Sequence, residues 1–369
     1  MLAFALSHRH VHRWIGGYGR HWLTNFALPR TERTRHVLFA VCDHFEPLWG
    51  GASDAMGRER VARWADGYPE FAHEFRDGDG LPPRHTFFFP GEQYAPSYLD
   101  SLGRLASAGL GEVELHLHHD GDDAPKLAND IFSYTRAYAQ HGHLSRDAAG
   151  RLRYGFIHGN WCLANSRRDG KYCGVDSELQ VLFDTGCYAD FTFPSAPDET
   201  QPGIVNQIYW PAGDPAQARA HERGVRASVG RRMDGRILMI QGPLALARRN
   251  GGLGIRIESA ALTANDPGTP DRVDTWVSQE IHVAGLPEWI FVKVHTHGAP
   301  TAQGTSLLGD AGRAMHHTLT TRYNDGKSFL LHYVTAREMF NIALAAMSGC
   351  RGDPNRYRDY LLPPPPIAT

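Results

Sequence analysis

The chain has 369 residues, 42% of them hydrophobic and 21% charged, with a formal net charge of −2. That length allows one large domain or two ordinary ones, each with a substantial core, and the balance excludes wholesale disorder. The near-neutral charge excludes a general field for nucleic acid or an acidic membrane, and no window has the apolar length of an integral membrane segment.

The first residues, MLAFALSHRHVHRWIGGYGRHW, place a six-residue apolar run ahead of histidines and arginines. A signal peptide carries its positive charge before the apolar stretch, so a cytoplasmic protein is expected, with residues 1–35 as an extension able to rest on a membrane surface. Five cysteines at 42, 162, 173, 187 and 350 are an odd number without tight spacing, unlike a disulfide framework. Cys162, Cys173 and Cys187 could hold zinc in principle, but no C-x-x-C pair supports that, and buried thiols are the better reading.

Strand-like and helix-like stretches then alternate. HVLFAVC (36–42) reads as a buried strand, and Val61, Trp64, Ala65, Tyr68, Phe71, Ala72 and Phe75 follow at helical spacing, with a kink expected at Pro69. HTFFFP (85–90) is the next strand, before a helix on Tyr98, Leu99, Leu102 and Leu105 that closes near Gly109. EVELHL (112–117) is the third strand, and residues 124–142 form a third helix. Five further strands are predicted at 153–159, 187–193, 236–241, 289–295 and 328–334, with helices near 176–185, 311–323 and 335–348.

Repeated β-then-α order predicts a parallel sheet covered by helices. Near eight strands make the expected fold an α/β (β/α)7-8 barrel, regular or not, with long loop insertions; a doubly wound open sheet is the alternative. A single barrel domain would span 36–350, with insertions near 194–235 and 242–288, and the Pro-rich tail of 351–369 is expected to be stiff and exposed.

The carboxyl ends of the strands carry most of the chemistry. CDHFEP gives Asp43, His44 and Glu46; PGEQY gives Glu92; HLHHD gives His116, His118, His119 and Asp120. IHGNW gives His158, Asn160 and Trp161, the fifth strand carries Asp190, and KVHTHG delivers His295 and His297. The opposite strand ends show almost nothing comparable, and in β/α barrels the active site lies at this rim.

His116 and His118 lie two apart, so on a strand both point to one face, while His119 points to the other. Two imidazoles with a carboxylate form an open three-ligand site for a divalent metal, with zinc the expected ion. Asp43 is the natural carboxylate; whether His119, Asp120 or Glu46 joins is left open. His295 and His297 are either further ligands or a general acid, and a buried hydrogen-bonding pair is nearly as good a reading.

An Asp ending strand one, a His-x-His ending strand three and a late strand ending in His resemble the polysaccharide deacetylases of the glycoside hydrolase/deacetylase β/α-barrel superfamily. The resemblance spans roughly residues 36–335. It implies Asp43 as catalytic base, His44 at the position of the metal-binding aspartate, and His116 as the first histidine of the metal motif. Four residues on stands Asp120 rather than His, which leaves His118 to substitute, and no arginine precedes FIHGNW. Asp190 matches the aspartate that orients the base, and His295 or His297 the general acid.

The resemblance therefore implies a metal-dependent hydrolase that removes acetyl from an N-acetylated sugar or polysaccharide precursor. Asp43, His44, His116 and His118 would hold the metal, and Asp43, Asp190, His295 and His297 would act in catalysis. Trp161 and Tyr94 would stack on a sugar face, Asn160 and Asn165 would bond its hydroxyls, and Glu92 and His158 would line the groove. Two alternatives stay open. One is a metal-independent glycosidase using a pair from Asp43, Glu46, Glu92 and Asp190 about 5–10 Å apart. The other is a non-catalytic carbohydrate-binding or assembly protein on the same barrel.

Overall fold

The uninterrupted apolar run at 36–42 becomes the middle strand of a large sheet, buried on both faces as such runs are in parallel sheets. The computed structural model describes residues 10–26, 33–248 and 254–368. The first nine residues, and with them the apolar start that bears on a leader sequence, lie outside the described residues.

In chain order the elements are α1 (Val11–Phe26), β1 (Arg35–His44), α2 (Asp54–His73), β2 (His85–Pro90), α3 (Pro96–Ser107), β3 (Gly111–Leu117), α4 (Ala124–Gln140), β4 (Ser145–Arg146) and β5 (Leu152–His158). There follow α5 (Glu178–Thr185), β6 (Cys187–Asp190), β7 (Ile208–Pro211), β8 (Gly224–Arg226), β9 (Leu238–Ile240), β10 (Ala245–Arg248), β11 (Ile255–Glu258) and β12 (Ala261–Leu262). The chain continues through α6 (Pro270–Val277), β13 (Trp289–Thr296), α7 (Thr301–Leu308), α8 (Asp310–Arg322), β14 (Phe329–Tyr333) and α9 (Ala336–Met347).

Among the described residues, twelve strands form one sheet in the order β12-β13-β1-β2-β3-β5-β6-β9-β7-β8, with β14 also on β1 and β4 on β5. The pairings from β12 to β9 are parallel; β7 runs antiparallel to β8 and β9. All eight expected strands form. Among the described residues the strand pairings make an open path, with no pairing that closes it into a ring. The path curls nonetheless. Lys293 of β13 donates from Nζ to the carbonyls of Phe191 (2.5 Å) and Phe193 (2.9 Å) beyond β6, although β1, β2, β3 and β5 stand between those strands in the path.

Side chains sort by parity, since successive residues of a strand face opposite ways. Val37, Phe39 and Val41 pack outward with Ile290, Val292 and Val294 against α6 and α8. Val113, Leu115 and Leu117 pack outward against α2, α3, α4 and α5. Leu38, Ala40, Cys42 and Phe291 face the concave side, which is filled by α9. Every residue of α9 is buried, and its sequence AREMFNIALAAM is apolar nearly all round with small residues that allow close approach to the sheet.

Two expectations need correction. The segments 194–235 and 242–288 add β7, β8, β10, β11, β12 and α6 to the architecture and are not merely loops. The tail is not free: Leu362 is buried, and Arg337 and Asn341 of α9 donate to the Leu362 carbonyl at 2.7 and 2.8 Å. A helix enclosed by the sheet has buried polar groups at its start, and the returning tail supplies their partners. The predicted helix around Pro69 also forms without a break, since α2 runs through that residue. No helix among the described residues is long and apolar enough to cross a membrane.

Glu338, at the first turn of α9, is buried against Arg84 and Arg358. Burial pushes its carboxyl up, but the guanidiniums of Arg358, Arg84 and Arg337 outweigh that and hold it at about 2. A folded-state value below the unfolded one (about 4.3) gives stability that is complete above the unfolded value and lost as pH falls toward the folded one. The urea midpoint is therefore expected to fall between about pH 4.5 and 2, and Glu338→Gln is expected to flatten that fall. An equally steep fall in the variant would place the acid sensitivity elsewhere.

Candidate metal centre

β1 and β3 end at the same rim, and parity decides what each contributes. On β1 the concave face continues Leu38, Ala40, Cys42 with His44; on β3 it continues Glu112 and Glu114 with His116 and, just past the strand, His118. Glu46 follows His44 by two and enters from the loop. Its carboxylate is the hub. Oε1 lies 3.0 Å from Nε2 of His116 and 3.0 Å from Nε2 of His118, and Oε2 lies 3.0 Å from Nδ1 of His297.

The far sides of two rings are fixed. His116 Nδ1 donates to the Ile157 carbonyl at 3.0 Å, and His118 Nδ1 lies 2.6 Å from Glu92 Oε1. Both arrangements hold the proton on Nδ1 and turn Nε2 toward Glu46, as partners of metal-bound histidines do. His44 is fully buried, 4.8 Å from the rings of His116, His297 and Trp161, and neither of its ring nitrogens has a partner. A buried imidazole without a hydrogen bond is costly. The ligand atoms of Glu46, His116 and His118 lie within 4.8 Å of one another, as do those of His44, Glu46 and His297.

Electrostatics point the same way. Burial raises the Glu46 carboxyl, but the imidazoles of His116, His118 and His297 held against it outweigh that and keep it ionised. Burial, then His297 and His116, push His44 well down, so it is neutral. Burial also lowers His118, but Glu46 and Glu92 overcome that and raise it to about 9, so this ring carries the positive charge that the two carboxylates call for. An ionised carboxylate with imidazole nitrogens of His116, His118 and His297 around it and the neutral His44 beside them is the donor set of a divalent N/O metal site. The residues fit the group.

Asp43 does not join them, contrary to the sequence expectation for ligand and base. It is an odd-numbered residue of β1 and faces the outer helices. Its Oδ2 lies 2.8 Å from His85 Nε2, and its Oδ1 accepts from Gly298 N at 2.6 Å. Gly298 must be glycine for this approach, because a Cβ there would stand 2.1 Å from Asp43 Oδ2. Asp43 thus ties β2 to the loop carrying His297. Asp43→Asn is expected to lose about 1–3 kcal/mol of stability in urea unfolding while keeping its metal content. Loss of the metal with unchanged stability would return Asp43 to the ligand set.

His295 is buried beside Trp161 (5.1 Å between rings) and His44 (6.1 Å), with Nδ1 unpartnered. Trp161 lies over both histidines, and the half-exposed Trp49 lies over His297 at 4.8 Å. A cleft of ≈ 380 Å³ opens beside His118, lined among others by Glu92, Asp120, Asp122, Asp130 and Tyr134.

The other expected site residues go elsewhere. Asp190 is buried and bonds Thr192 through its backbone N (3.0 Å) and Oγ1 (2.7 Å); burial raises its carboxyl to about 7 against the pull of Thr192 and Lys293. Tyr94 bonds His141 at 2.9 Å and lies against Tyr138. Asn165 donates to Asp176 at 2.8 Å, and Asn160 N donates to His158 Nδ1 at 3.2 Å. None of these four is in the Glu46 cluster, and His158 faces the outer side of the sheet.

Sequence reasoning placed Glu46 at the right rim but not at the centre. The signal that could have found it is the continued alternation 44, 46 beyond the strand end. The chain matches no protein-family model, no curated protein and no solved structure.

Proposed function

We propose that this chain is a metal-dependent hydrolase that removes an acyl group, namely N-acetyl on an amino sugar or polysaccharide precursor. The observation that carries the reading is the Glu46 carboxylate with imidazole nitrogens of His116, His118 and His297 each 3.0 Å away and the unpartnered His44 among them. His116, His118 and Glu46 would hold a divalent cation, with zinc the best match, and His44 and His297 stand at the other carboxylate oxygen. Bound there, such an ion supplies Lewis acidity toward a carbonyl and lowers the pKa of water toward ~7.

The chain's own groups fill the remaining roles. Glu92 is partly exposed, lines the cleft and touches His118, so it takes the role of proton acceptor that sequence gave to Asp43. Burial and then Lys293 hold His295 well below the usual histidine range, so it is neutral and lines the pocket beside Trp161, and the partly exposed His297 is the group to protonate a leaving amine. Trp161 and Trp49 offer faces for a sugar ring. The cleft mixes four carboxylates with His118, His119 and Lys126, which pairs with Asp122 and Asp130, a lining without a strong field of either sign that suits a neutral substrate.

The curl of the sheet supports reading it as a β/α barrel left open, in keeping with the deacetylase resemblance. Five free cysteines fit a reducing, cytoplasmic setting. The test is acetate release from N-acetylglucosamine oligomers with metal analysis of the same sample. Release that stops with a chelator and returns with zinc is expected; acetate release undiminished by the chelator would remove the metal from the reaction, and shortening of the oligomers without acetate release would favour a carboxylate-only glycosidase.

A further inference from the structure

The parity that sends His116 and His118 to the concave face sends His119 and His158 to the outer one. There they meet two residues of the segment that leaves β5. His119 Nε2 lies 3.0 Å from Glu178 Oε1, His158 Nε2 lies 3.7 Å from the same oxygen, and Cys173 Sγ lies 3.4 Å from Glu178 Oε2. We propose that His119, His158, Cys173 and Glu178 form a second metal site, separate from the Glu46 centre, which binds a zinc-type ion in closed four-ligand coordination and staples the 159–176 loop to the sheet.

The ligand atoms of the four residues all lie within 4.8 Å of one another, and the side chains of His158, Cys173 and Glu178 are fully buried. A tetrahedron of ligands about 2.0–2.3 Å from zinc has edges of about 3.4 Å, which the 3.0–3.7 Å separations bracket. One thiolate, two imidazoles and one carboxylate leave no open position, the mark of a structural site. His158 Nε2 points into the cluster and has no hydrogen-bond partner, although it is buried. Its Nδ1 accepts a long bond from Asn160 N (3.2 Å), and ligation through Nε2 would exchange that weak bond for a metal bond. Behind His119, Asp122 Oδ2 stands 3.7 Å from Nδ1, where it can orient the ring.

The loop has need of a staple. Trp161, Ala164, Asn165 and Tyr172 all hold positive φ (63°, 50°, 50° and 66°), a conformation that L-residues keep only when their surroundings enforce it. The same loop sets Trp161 over His44 and His295. The site thus fixes an aromatic wall of the pocket without taking part in the chemistry.

Sulfur separates the two centres, since the Glu46 cluster offers only nitrogen and oxygen. Full-length protein freed of metal with a chelator and loaded with Co²⁺ alone is expected to show thiolate-to-cobalt charge-transfer absorption in the near ultraviolet. Cys173→Ser is expected to lose that band and one equivalent of bound metal, whereas Glu46→Gln and Cys162→Ser keep the band. No such band in folded wild-type protein, or a band that survives Cys173→Ser, would overturn the site and leave a His119–Glu178 ion pair beside a free thiol. Either result stands whether or not Glu46 proves to hold a metal.

Discussion

Glu46→Gln is expected to strip the metal from the pocket and abolish hydrolysis while the fold persists. The substitution keeps the shape of the side chain and removes the one anion shared by His116, His118 and His297, none of which has another carboxylate within reach except His118, which also touches Glu92. Removing one member of a buried charged set costs about 3–5 kcal/mol, which is about 10²- to 10⁴-fold in metal affinity. Equilibrium dialysis against zinc reads that directly, with Asp43→Asn beside it as the variant expected to bind normally. Wild-type affinity in Glu46→Gln would remove the carboxylate from the centre.

Arg337→Met is expected to be the most damaging substitution away from the pocket. The guanidinium is 2% exposed and holds Glu112 (2.8 Å), Asp359 (2.6 Å) and the Leu362 carbonyl (2.7 Å) at once. It therefore joins β3, α9 and the returning tail at the end of the concave face away from the histidines. Methionine fills much of the space but leaves the Glu112 carboxylate buried without its partner, at a cost of about 3–5 kcal/mol. Denaturant unfolding should show that loss, and the double variant with Glu112→Gln should recover part of it because no uncompensated charge then remains. An additive double variant would mean that the two groups do not act as a pair.

Much of this was legible in the sequence, and parity explains which parts. The eight main strands announced themselves as apolar runs, and His-x-His at 116 and 118 announced a shared face. The same rule, applied to β1, would have chosen His44 and Glu46 over Asp43, because 38, 40, 42, 44 and 46 alternate together. The resemblance to an aspartate-led motif pulled attention to the wrong parity. The His119–His158–Cys173–Glu178 group was less legible, since Cys173 and Glu178 arrive from a loop and a helix start whose approach to β3 is a long-range event. Nor does any local pattern say that α9 lies inside the curl of the sheet. An apolar helix of small residues reads as buried, but only the tertiary structure says against which face. The tail misled because PPPP predicts stiffness and says nothing of Arg337 and Asn341, which bind the carbonyls just before it.

The most direct test is anomalous diffraction at the zinc edge from crystals of the wild-type protein grown with zinc. A peak bounded by Glu46, His116 and His118 is the expected result. Ordered side chains in the arrangement described, with no peak among them at saturating zinc, would contradict the assignment of this rim as a metal centre.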